Sequence, residues 1–115
     1  MGKRTKKSKH NVECDTHHCL WTRKVWSNGC SLLLRRAFVY EIPKAIHHEL
    51  HTVVEPIPAL SDDEARWLWQ QYKKVSHEMD IFEALDWLYA NAPNLLFMEA
   101  IALQAEFLRE NLERS

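Results

Sequence analysis

Apolar positions in this chain change their spacing at Pro43. Ahead of it, Ala37 to Ile42 alternates Phe38, Tyr40 and Ile42 against Val39 and Glu41, the period of a β-strand. Pro43 suits the first turn of a helix, where its missing N–H costs nothing, and a helix to about Val54 is expected. Pro56 and Pro58 end it, and with Glu55 and Ile57 they form an extended linker over residues 55–60. Upstream, His17 to Trp21 reads as a short strand. Thr22 to Gly29 reads as a basic loop with a turn signal at Asn28-Gly29. Ser31 to Arg36, with Leu32, Leu33 and Leu34, fits either a helical turn or a buried strand, because so short an apolar run has no diagnostic period.

The second half is helical throughout. Ser61-Asp62-Asp63-Glu64 is a capping box, followed by Ala65, Leu68, Trp69, Tyr72, Val75 and Met79 at helical spacing. Asp80-Ile81-Phe82-Glu83 is a second box, opening Ala84, Leu85, Leu88 and Tyr89. Asn91 to Asn94 breaks that helix. Asn94 caps a third, with Leu95, Met98, Ile101, Ala102, Ala105, Leu108 and Leu112 on one stripe. These stripes, and Trp67, Trp69 and Trp87, read as packing surfaces. The expected class is therefore α+β and mostly α: a short β-hairpin plus helix, packed with a three-helix C-terminal region. Residues 1–12 form a disordered basic tail, 13–54 the hairpin-helix module, 55–60 the linker, and 61–115 the helical region of the same compact domain.

Length and composition agree with that reading. A chain of 115 residues suits one domain, and a hydrophobic fraction of 46% with five Trp argues for a folded protein. No apolar run approaches the ~18 residues needed to span a membrane, and no apolar segment follows the basic start as in a signal peptide. Three cysteines, Cys14, Cys19 and Cys30, are an odd count, which points to reduced thiols in a cytoplasm. A zinc cluster of Cys14, His17 or His18, Cys19 and Cys30 is the rival use for them, although it lacks the Cys-x2-Cys spacing. The net charge of −1 conceals an asymmetry: residues 1–54 hold ten Lys/Arg against four Asp/Glu, and residues 55–115 hold five against twelve. A basic half beside an acidic helical half suits a nucleic-acid protein. The acidic half would be free to dock a protein partner or a second copy.

The histidines add chemistry to the basic half. His47 and His51 stand one turn apart, so both imidazoles share a helix face and can point at one ion. The strand bearing His17 and His18 can supply a third ligand and a base. Three ligands leave positions open, the catalytic pattern rather than the closed structural one. A fourth, unbound histidine with a pKa near 6.5 can take a proton from water. This is a minimal kit for metal-assisted phosphodiester hydrolysis.

The order His17-His18, strand, Pro43, then His47 and His51 on a helix resembles the ββα-metal nucleases, also called His-Me finger or HNH nucleases, and within them the colicin-DNase branch. The resemblance covers roughly residues 14 to 54. It implies His17, His47 and His51 as metal ligands and His18 as the general base. It also implies one divalent ion, Mg, Mn, Ni or Zn, and a nucleic-acid substrate with DNA favoured. The middle Asn of the motif falls on Phe38, where this chain departs from the family. Arg23, Lys24, Arg35, Arg36 and Lys44 would then bind phosphates, and Trp21 and Trp26 would line the groove or cover the small core. Two functions follow. One is a small metal-dependent nuclease of a phage or mobile element. The other is an inactive relative that keeps the fold to bind nucleic acid or protein.

Overall fold

The computed structural model describes residues 13–22 and 29–112. The expected tail over 1–12, and Arg23, Lys24, Trp26 and Asn28, lie outside the described residues.

Strand β1 (Cys14–His18) pairs antiparallel with β2 (Val39–Pro43), from Cys14 opposite Pro43 to His18 opposite Val39. It starts earlier than the expected His17 and stops short of Trp21. The ladder is bounded by its partner. Beyond His18 the Cys19 N–H still donates to the Phe38 carbonyl at 2.9 Å, but Cys19 and Leu20 are both fully buried, so the in-out alternation has ended. The strands are joined through a helix, α1 (Gly29–Ala37), which resolves the open reading of the Leu32–Leu34 run. Its buried residues are Ser31 and Leu34, and Leu34 closes the turn by accepting from Phe38 N–H.

Pro43 is both the last residue of β2 and the N-cap of α2 (Lys44–Val53), with extended ψ of 137°. The fixed ring φ thus turns strand into helix without an unpaired N–H. Helix α2 turns Leu50 inward, and Val54 caps it by donating to the Leu50 carbonyl. Residues 55–60 are extended as expected, yet they are no loose tether. Ile57 and Leu60 are buried, and Ile57 N–H donates to the Trp21 carbonyl at 2.8 Å.

Helices α3 (Asp62–Tyr72), α4 (Ile81–Ala90) and α5 (Leu95–Leu112) complete the domain. Both capping boxes form, Ser61 with Glu64 and Asp80 with Glu83. Asn94 caps α5 by accepting from Phe97 N–H at 2.9 Å. Helix α3 ends at Tyr72, so Val75 and Met79 lie beyond it, in the segment leading to Asp80. The buried face of α5 is Phe97, Ala100, Ile101, Gln104, Ala105, Phe107 and Leu108. It is rotated from the expected stripe: Leu95 is 72% exposed.

The described residues form a small α+β domain that is mostly helical. Its core joins both halves. Cys19, Leu20, Phe38, Ile42 and Leu50 pack in one cluster with Leu68, Leu85, Leu88, Phe97, Ile101 and Leu108. Among the described residues, no helix is long and apolar enough to cross a membrane.

Candidate metal centre

The pleat of β1 and the pitch of α2 bring three histidines together. Asp15 and His17 are two residues apart and share one face of the sheet; Cys14, Thr16 and His18 take the other. On that other face, Thr16 donates to Glu41 across the ladder at 2.7 Å. Helix α2 lies against both strands and presents His47 and His51 to the Asp15 and His17 face. The ring of His47 lies 5.2 Å from that of His17 and 4.6 Å from that of His51. One potential ligand atom from each of His17, His47 and His51 falls in a cluster in which all are within 4.8 Å of one another.

Depth differs across the group. His17 is fully buried, His47 half-buried and His51 exposed. Burial, reinforced by the neighbouring His47, His51 and His18, lowers the His17 pKa from 6.5 to about 4, although its hydrogen bond to Gln104 acts the other way. His51 is also lowered, first by burial and then by His47. Neutral imidazoles are the form that binds cations.

Each deep histidine has an outer partner. His47 Nδ1 lies 3.1 Å from the Asp15 carboxylate. A carboxylate accepts, so the proton sits on Nδ1 and the lone pair of His47 is on Nε2. His51 Nε2 lies 3.0 Å from that same Nε2. Two ligands on a tetrahedral zinc at ~2.0–2.1 Å are ~3.3 Å apart, so this pair is already near a coordination edge. His17 Nε2 lies 2.7 Å from Gln104 Oε1, while its Nδ1 is buried without a hydrogen-bond partner among the described residues. An orphaned nitrogen beside two imidazoles is what a cation would satisfy, and the residues fit such an ion. Trp21 flanks the group, with its ring 4.6 Å from His51 and 5.4 Å from His17.

His18 lies next to His17 on the opposite face of the strand. Its pKa is lowered by burial, then by the charges of Arg35 and His47. Arg35 and Arg36 are exposed in the last turn of α1, and Lys44 is exposed at the start of α2. Phe38, at the position of the motif's Asn, points away from the cluster into the helical core, against Tyr72 and Trp87. The rival cysteine cluster does not form among the described residues. Cys14 shares its face with Thr16 and His18, not His17, and Cys19 is sealed in the core, where burial pushes its thiol pKa up. None of the three cysteines is in a disulfide. Asp15 and Gln104 contact the cluster, and sequence reasoning missed both.

Comparison with models of known protein families, with curated proteins and with solved structures finds no match.

Proposed function

We propose that this chain is a metal-dependent nuclease built on a ββα-metal finger, with the C-terminal helices as its support. The observation that carries this reading is the meeting of His17 from a strand with His47 and His51 from a Pro-started helix. Strand β1, strand β2, Pro43 and helix α2 follow in the order of the His-Me finger motif, with α1 inserted between the strands.

Three imidazoles are a donor set suited to Zn or Ni rather than to Mg, which prefers oxygen. When bound, such a cation acts as a Lewis acid on a phosphate oxygen. The chain's own residues do the rest. Asp15 orients His47 and keeps its Nε2 lone pair free. His18 ends β1 on the other face of the strand; burial and Arg35 lower its pKa, and His47 is near enough to lower it further. It is unprotonated at neutral pH and is the base that takes a proton from the attacking water. Arg35, Arg36 and Lys44 bind the flanking phosphates, and Arg23 and Lys24 keep the phosphate-binding role that the resemblance implies. The substrate is nucleic acid, DNA favoured.

The test is a plasmid-nicking and RNA-cleavage assay with Zn²⁺, Ni²⁺, Mn²⁺ or Mg²⁺ supplied. Wild type should cleave. His18→Ala should lose about 10²–10⁴ in rate while retaining metal and nucleic-acid binding. Phe38 favours a second reading, an inactive binding module. A wild type that cleaves neither polymer, yet binds DNA with a clear salt dependence, would establish it.

A further inference from the structure

Gln104 is fully buried on α5, in the middle of an apolar stripe between Ile101, Ala105 and Leu108. Its side-chain amide bridges two elements of the other half. Nε2 donates to the Cys19 carbonyl at 3.0 Å, and Oε1 lies 2.7 Å from His17 Nε2. A carbonyl only accepts, so the NH₂ group must face Cys19. The reversed amide would set oxygen against oxygen. Oε1 therefore faces His17 and, being an acceptor, requires a proton on His17 Nε2. The lone pair of the neutral ring is then on Nδ1, which has no hydrogen-bond partner among the described residues.

We propose that Gln104 is a positioning residue of the metal centre, locking His17 in the Nε2–H tautomer so that His17 ligates through Nδ1 while His47 and His51 ligate through Nε2. The inference rests on the metal-centre reading and adds to it: α5 is part of the centre. The Cys19 carbonyl fixes the amide, the amide fixes the ring, and the ring offers one nitrogen. A finger without α5 would have both tautomers of His17 open to it.

The experiment is heteronuclear NMR on the full chain with nitrogen-labelled histidine, metal-free and loaded with spin-active cadmium, at about pH 7.5, where an ordinary imidazole is neutral. The metal-free spectrum should show His17 as the Nε2–H tautomer. The loaded spectrum should show cadmium coupled to Nδ1 of His17 and to Nε2 of His47 and His51. Gln104→Met should bind cadmium roughly 10–100-fold more weakly, as expected for loss of an outer-shell partner. Coupling through His17 Nε2 would overturn the proposal while leaving a metal centre in place, and so would a folded Gln104→Met with wild-type affinity. A wild type that takes up no cadmium would overturn the metal-centre reading and the proposal together. The wild-type spectra decide the tautomer and the ligating atom even where Gln104→Met fails to fold.

Discussion

Replacing Phe38 with Asn restores the residue that the nuclease motif expects, and here it should strongly destabilise the protein rather than improve it. The Phe38 ring is fully buried, 4.9 Å from Tyr72 and 5.9 Å from Trp87 between ring centres. Truncating such a ring to Ala costs about 3–5 kcal/mol in transfer and cavity terms. An Asn amide in the same apolar site, without a partner, adds about 1–3 kcal/mol. The total of about 4–8 kcal/mol compares with the ~5–15 kcal/mol by which domains are typically stable. The backbone bonds at this position, from Phe38 N–H to Leu34 and from Cys19 N–H to Phe38, need no phenyl ring, so the loss is one of packing. Urea denaturation of chelator-treated wild type, Phe38→Asn and Phe38→Leu measures it. Phe38→Leu, which keeps the site apolar, should lose markedly less. A Phe38→Asn protein within about 1 kcal/mol of wild type, less than one unpaired amide costs, would refute the assignment of Phe38 to the core.

Three further outcomes are expected. His47→Ala and His51→Ala should each weaken zinc binding and together abolish it, and calorimetry with unchanged binding in the double variant would rule the site out. In the metal-free protein, His17 binds a proton less readily folded, with a pKa of about 4, than unfolded, at 6.5. Stability should therefore fall as pH drops from about 6.5 to about 4, by about 3 kcal/mol for this group. His17→Phe should remove that part of the slope in urea titrations, and an unchanged slope would count against the buried neutral imidazole. Arg35→Ala and Arg36→Ala should each weaken DNA binding and reduce the salt slope by about one phosphate contact, near 0.9 in log–log units; unchanged slopes would remove both from the interface.

Local chemistry was the legible part of this chain. The starts of α3 and α4 follow from Ser61–Glu64 and Asp80–Glu83, whose caps form within a single turn and need no tertiary partner. His47 and His51 share a face through helix pitch alone, and Pro43 marks the junction before them. The Leu32–Leu34 run stayed ambiguous because burial of Leu34, with Leu32 and Leu33 left partly exposed, is decided by packing on α3. Leu95 was misplaced because an apolar residue in the first turn extends a stripe whether or not anything covers it. Asp15 was within reach, since it lies on His17's side of the pleat. Gln104 was visible only as a polar residue among apolar neighbours, and its partners, His17 and Cys19, are 87 and 85 positions away. Phe38 read as a departure from a motif, although its contacts with α3 and α4 give it a separate reason to be there.

The central claim is that three histidines of this chain hold one ion. Crystals of the zinc-soaked protein, measured at the zinc absorption edge, test it most directly. The account predicts one anomalous peak ~2.0–2.1 Å from ring nitrogens of His17, His47 and His51, with at least one coordination position not filled by protein. A peak on the cysteines, or no peak with the His51-to-His47 contact still in place, would contradict it.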